Sequence, residues 1–216
     1  NGEGKREALM DKLHTKDARY LLFGSSETID TVAGYLKERH DVPREDVFGL
    51  GTGLSSAIVL ADANLDHAAR EIAKGMTQDA GRQCTSTSIV YVDEIIRNNL
   101  LKKIERELRK YNPGFEDGIG VLTKRERALI AKEIGDDSYD GSPRVVPVSL
   151  FENASELPGP ILYLRSSTPT QLESLIREDL HMAGIKRNLS TALFTKTKGL
   201  NPPAHRVLYN RGTHNV

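Results

Sequence analysis

Ala80-Gly81-Arg82-Gln83-Cys84-Thr85-Ser86-Thr87 leads directly into Ser88-Ile89-Val90-Tyr91-Val92. The second run is short and rich in β-branched and aromatic residues, as in a strand buried on both faces. Residues 65–79, just before it, place Leu65, Ala68, Ala69, Ile72 and Met76 on one face of a helix. The chain therefore passes from helix to strand through a turn opened by glycine. That turn carries the only cysteine in the sequence.

The same alternation continues in both directions. Upstream, Arg19-Tyr20-Leu21-Leu22-Phe23 is an apolar run stopped by Gly24-Ser25-Ser26, and Thr28, Ile29, Val32 and Leu36 then follow a helical pattern. A loop around Pro43 precedes Gly49-Leu50-Gly51-Thr52-Gly53, which reads as a flexible loop, and Ala57-Ile58-Val59-Leu60 reads as a buried strand. Downstream, a long helix from about 93 to 111 ends at Asn112-Pro113-Gly114, and a shorter one covers 124–134. Strands at 144–150 and 160–164, a helix at 169–183 and a last strand, Thr191-Ala192-Leu193-Phe194-Thr195, complete the pattern. Strands alternating with helices predict an α/β fold, a mainly parallel sheet covered by helices in three layers.

Composition excludes several classes of function. The 216 residues carry 30 basic and 30 acidic side chains, mixed along the chain, so nothing marks a nucleic-acid partner. The basic stripe from Lys102 to Lys110 is interleaved with glutamates, as on a solvated helix face. No apolar run approaches the roughly 18 residues needed to cross a bilayer, so no membrane partner is expected. No signal peptide opens the chain, and a cytoplasmic, reducing location is the expectation. One cysteine forms no internal disulfide and no zinc or iron–sulfur cluster, so no metal site is expected. His14, His40, His67, His181, His205 and His214 are scattered and build no cysteine-hydrolase signature.

Taken singly, the candidate segments have bland readings. A lone thiol such as Cys84 is usually a small buried hydrophobe. Gly24-Ser25-Ser26 is either an ordinary capped turn or a helix start able to hold phosphate. Gly49 to Gly53 lacks the Gly-Lys-Ser/Thr of a Walker motif and precedes a strand rather than a helix. Glu156, in Glu156-Leu157-Pro158-Gly159-Pro160, is a single carboxylate on a rigid turn.

Their order along the chain changes this. Leu22-Phe23-Gly24-Ser25-Ser26-Glu27 resembles the Phe-Thr-Gly-Ser-Thr-Glu turn of the aldehyde dehydrogenase superfamily. Asp62-Ala63-Asn64-Leu65-Asp66-His67-Ala68-Ala69 resembles its Asp-Ala-Asp-Leu-Asp-x-Ala-Ala helix entry. Gly81-Arg82-Gln83-Cys84-Thr85 is similar to the nucleophile motif Gly-Gln-x-Cys-Thr, with the middle pair in swapped order. Glu156-Leu157-Pro158-Gly159-Pro160-Ile161 is similar to Glu-Ile-Phe-Gly-Pro-Val, and Leu189 to Thr195 to Leu-Ser-Ala-x-Val-Phe-Thr. The resemblance runs from about Arg19 to Asn210.

What it implies is specific. Cys84 is the nucleophile that adds to an aldehyde, giving a thiohemiacetal that passes hydride to nicotinamide and becomes a thioester. Its backbone N–H is half of an oxyanion hole. Gly24 and Ser25 lie at the cofactor pyrophosphate, and Glu156 accepts from the nicotinamide-ribose hydroxyls. The cofactor is NAD or NADP. The partner is a small-molecule aldehyde or acyl substrate, and the full-length protein is a homo-oligomer.

The chain departs from the pattern at two informative places. The glutamate that activates water in hydrolytic members is replaced by Gly49 or Gly51, and the phenylalanine of the Phe-Gly-Pro turn is Pro158. Loss of a positioned base typically costs about 10²–10⁴-fold. The family's first half also has no counterpart in residues 1–18. The expectation is a piece of a larger protein: residues 1–48 end a cofactor domain, and 49–216 form a catalytic thiol domain truncated at its C-terminus. A CoA-acylating aldehyde dehydrogenase or acyl-CoA reductase, with coenzyme A as acceptor, is one alternative. A non-catalytic domain of the same fold is the other.

Overall fold

The computed structural model describes Gly4, Ala8, Asp11, Lys12 and residues 18–24, 26–50, 54–83, 85–111, 122–148, 157–168, 170–172, 174–176 and 190–196. The chain divides into two compact units, residues 1–52 and 53–216.

The first unit is a strand–helix–strand motif. β1 (Tyr20–Phe23) is followed by α1 (Ser26–His40) and by β2 (Val47–Leu50), which pairs with β1 in parallel. Strand alternation puts Tyr20, Leu22 and Val47 on the side of α1, where they pack with Ala33, Leu36 and Val42. Leu21, Phe23 and Phe48 are exposed. The glycine segment expected as a loop is strand at its start, because Gly49 and Leu50 pair with Leu22 and Phe23. Gly49 is required by packing: a Cβ there would lie 2.6 Å from the Ile29 Cγ2 of α1.

The second unit is a five-stranded sheet built from β3 (Ser55–Val59), β4 (Thr87–Asp93), β5 (Arg144–Pro147), β6 (Ile161–Ser167) and β7 (Thr191–Phe194). Their order across the sheet is β5-β6-β4-β3-β7, and every pair is parallel. Parallel neighbours need long crossovers, which helices supply. α2 (Leu65–Thr77) joins β3 to β4, and α3 (Glu94–Leu108) and α4 (Lys124–Ile134) lie between β4 and β5.

Side chains alternate between two cores. Ala57, Val59, Val90, Val92, Leu162 and Leu164 pack against Ala68, Ala69, Ile72, Ala73 and Met76 of α2 and Leu100, Ile104 and Leu108 of α3. On the other face Ile58, Ile89, Tyr91, Ile161 and Tyr163 pack with Ile130 of α4 and with Leu172 and Ile176. Helices thus cover both faces, giving the three-layer α/β sheet expected. Each fully buried aliphatic contributes roughly 1.5–3 kcal/mol. Two short polar side chains start the helices of the first core. Asn64 accepts from His67 N–H at 3.2 Å, and Asp93 accepts from Ile95 N–H at 3.0 Å.

Element ends moved where local chemistry overrides the pattern. The helix expected over 65–79 stops at Thr77, whose Oγ1 donates to the Ala73 carbonyl at 2.7 Å. The helix expected over 93–111 stops at Leu108. Of the helix expected over 169–183, residues 170–172 and 174–176 are helical and most of the remainder lies outside the described residues.

Candidate functional site

The turn between β1 and α1 carries Gly24, which is exposed. A Cβ at Gly24 would make only ordinary contact with Thr28, 3.5 Å from its Cγ2, so a side chain is not excluded there by packing. α1 runs fifteen residues from Ser26, long enough for an appreciable partial positive charge at its start. Ser25 lies outside the described residues.

In the second unit the thiol turn sits at the amino edge of the sheet. β4 and β6 are parallel neighbours, with Ile89 opposite Tyr163. The turns that feed them, 79–86 and 157–160, therefore arrive at the same edge. Ligands in open α/β sheets usually gather at the carboxyl edge. Here the turns that flank the two sequence candidates, at residues 81–83 and 157–160, lie at the opposite one.

The backbone entering this turn is unusual. Asp79, Ala80 and Gly81 have φ of 51°, 54° and 74°, three consecutive residues in the left-handed region. Asp79 and Ala80 are not glycines, so each conformation costs about 1–2 kcal/mol that surrounding contacts must offset. Ala80 is fully buried. Gly81 is pressed against the other turn: a Cβ on it would stand 2.5 Å from the Gly159 carbonyl oxygen and 2.9 Å from Pro160 N. Gly159 in turn rests against Ile130 of α4.

A charged fork secures the next residue. Arg82 donates from Nε to Glu126 Oε1 at 3.1 Å and from Nη2 to Oε2 at 3.3 Å. Glu126 is also part of the capping box of α4, accepting from Thr123 N–H while Thr123 Oγ1 accepts from Glu126 N–H at 3.2 Å. The Arg82 guanidinium, followed by the Thr123 N–H, holds the Glu126 carboxyl down to about 2. Beyond the turn, Ser86 N–H donates to the Gln83 carbonyl at 2.8 Å. The Ser86 hydroxyl is buried and has no hydrogen-bond partner among the described residues. Neither does the Tyr139 hydroxyl in the adjoining core, where burial raises its pKa to about 12.

Cys84 and Glu156, the two reactive side chains singled out from sequence, lie outside the described residues. Their neighbours, Gly81 and Gly159, are brought into contact. The Asp62–Ala69 segment falls at the other end of the sheet and holds structure together. Asp62 accepts from Thr195 Oγ1 at 2.9 Å and from Lys196 N–H at 3.1 Å, and Asp66 pairs with Lys103 at 2.6 Å and Arg106 at 2.9 Å. Sequence reasoning missed Arg82, Glu126 and Ser86. The Thr-x-x-Glu spacing at Thr123 and Glu126 is a legible helix-start signal, but nothing local ties it to Arg82. Among the described residues no cluster of His, Cys, Asp or Glu is placed to hold a metal ion, and no helix is long and apolar enough to cross a membrane.

A model of the aldehyde dehydrogenase family matches residues 12–127, more than half of the chain. The chain belongs to the aldehyde dehydrogenase family. Among relatives, it is 27% identical over 157 residues to the NADP-dependent glyceraldehyde-3-phosphate dehydrogenase of Streptococcus equinus, covering 71% of this chain and 31% of that protein. It is 33% identical over 85 residues to the enzyme of the same name from Nicotiana plumbaginifolia, covering 39% and 16%. This aldehyde dehydrogenase family member thus spans less than a third of the length of these relatives. Among solved structures, a mutant of Bradyrhizobium japonicum proline utilization A superposes with a TM-score of 0.76 at 17% identity, over 95% of this chain and 22% of that one. The Pseudomonas aeruginosa aldehyde dehydrogenase KauB gives 0.70 at 19% identity, over 94% and 44%.

Proposed function

We propose that this chain supplies the thiol domain, residues 49–216, and the end of the cofactor domain, residues 1–48, of a larger NAD(P)-dependent aldehyde dehydrogenase. Cys84 is its nucleophile. The family match carries this reading, since residues 12–127 include both the Gly24 turn and the Gly81–Thr85 motif. The Cys84 thiolate adds to the aldehyde carbonyl carbon, and the carbonyl electron pair moves onto oxygen, toward the Cys84 N–H. A bound nicotinamide ring supplies the hydride acceptor for that adduct. The oxidised adduct is a Cys84 thioester, which an acceptor must release.

The residues of the first unit fit a dinucleotide. Gly24 is exposed, and the start of the fifteen-residue helix after it carries the partial positive charge that suits a pyrophosphate. Gly24 and Ser25 hold that group, and Glu156 orients the ribose by accepting from its hydroxyls. Two of the relatives are NADP-dependent by name, which makes NADP the first cofactor to test. A glyceraldehyde phosphate is likewise the first substrate.

One observation favours a second reading of the final step, with coenzyme A as acceptor. Gly49, one of the two positions where the water-activating glutamate would fall, is a strand residue with Ile29 packed where its Cβ would be. A carboxylate has no room there, and a thiol acceptor needs less activation than water.

The test is cofactor reduction with an aldehyde and NADP or NAD, with and without coenzyme A, beside Cys84→Ala. Reduction that needs Cys84 but not coenzyme A supports hydrolytic oxidation, and coenzyme-dependent reduction supports the acylating route. A fold retained without catalysis would show no reduction in any arm.

A further inference from the structure

We propose that Arg82 and Glu126 form a positioning pair that holds the thiol turn in its left-handed conformation and thereby sets the reactivity of Cys84. The proposal rests on the reading of Cys84 as the nucleophile. Three left-handed residues in succession do not persist unaided, since Asp79 and Ala80 both carry a Cβ that disfavours them. The turn is gripped from two directions. On one side Gly81 abuts Gly159 and Pro160. On the other, Arg82 is fixed by two charge-assisted hydrogen bonds to one carboxylate.

An exposed ion pair would be weak evidence. This one differs because the fork is bidentate and Glu126 is already immobilised by the capping box of α4. The fork therefore links the residue two positions before Cys84 to a rigid helix. A second observation marks the turn as more than structural: the Ser86 hydroxyl, two positions after Cys84, is buried without a partner among the described residues. Such a group is rare unless something else completes it.

The experiment is alkylation of Cys84 by iodoacetamide across a pH series on the full chain, with turnover measured alongside. Glu126→Gln is the decisive variant, because glutamine still serves the capping box while removing the charge. Arg82→Gln removes the other partner and leaves the box untouched. If the pair acts as a unit, each single variant slows alkylation at its alkaline plateau about tenfold, and the double variant is no slower than either. The plateau is read because the thiol is fully ionised there, and the remaining dependence of thiolate nucleophilicity on thiol pKa, roughly threefold per unit, is smaller than the loss expected. Wild-type plateau rates in both singles, or additive losses in the double, would overturn the proposal. So would lowered melting temperatures accompanied by wild-type plateau rates. Alkylation needs neither aldehyde nor cofactor. A chain with no Cys84-dependent oxidation would sink the enzyme reading while leaving the fork's effect on the thiol measurable.

Discussion

Gly81 and Gly159 meet backbone to backbone at the amino edge of the second unit, so closely that a Cβ added to Gly81 would stand 2.5 Å from the Gly159 oxygen. They are brought together because β4 and β6 are parallel neighbours and each turn feeds one of them. The contact joins the turn entering Cys84 to the turn leaving Glu156. Two glycines are needed, since Gly81 faces carbonyl and amide groups while Gly159 is pressed by Ile130.

Gly81→Ala should therefore be far more damaging than an ordinary glycine change. It adds a left-handed alanine and a backbone clash, and an unfolding loss of about 3 kcal/mol or more is expected. Gly135→Ala is the control, because Gly135 has φ of 67° but open space around it. Conformational cost alone applies there, about 1–2 kcal/mol. Urea titration of both variants separates clash from conformation.

Glu126 predicts a defined acid sensitivity. Its carboxyl is lowered from 4.5 to about 2 in the fold by Arg82 and the Thr123 N–H. A depressed carboxylate stabilises the fold fully above the unfolded value and loses that contribution as pH falls through the folded one. The stability advantage of wild type over Glu126→Gln should be constant above about pH 5, shrink from there toward pH 2, and vanish below. Melting temperatures of the pair at several pH values check this.

Ile130→Ala should cost about 2–4 kcal/mol by leaving a cavity beneath Gly159. Leu129, one residue earlier, is half exposed, and Leu129→Ala should stay within about 0.5 kcal/mol. Denaturant midpoints distinguish them, and equal losses would contradict the packing described.

At the carboxyl edge, Asn64→Ala should cost about 1 kcal/mol through loss of the α2 cap. Asp62→Ala removes the acceptor of the Lys196 N–H and of Thr195 Oγ1. Amide exchange at Lys196 should accelerate in that variant while exchange in the middle of β3 is unchanged.

Much of the fold was legible because its signals are local. The continuous apolar runs of β3, β4 and β6 and the 3.6-residue face of α2 are written in Ile58, Ile89, Val90, Leu162, Ile72 and Met76 themselves. Boundaries were less legible. Gly49 reads as a loop until Ile29 is seen against it, and α2 stops at Thr77 although its pattern continues to 79. Of the candidate site, the order of the motifs pointed to Cys84, Gly24, Ser25 and Glu156. Only Gly24 among these falls within the described residues, together with the backbone on either side of Cys84.

The sequence by itself determined the alternation of strands and helices, the parallel sheet and the family, since hydrophobic period and motif order need no knowledge of distant contacts. Tertiary structure alone decided that Arg82 meets Glu126, 44 residues away, and that Gly81 meets Gly159. Both depend on strand order. With β6 beside β4 and α4 packed on the same face, turns far apart in the chain converge on one edge.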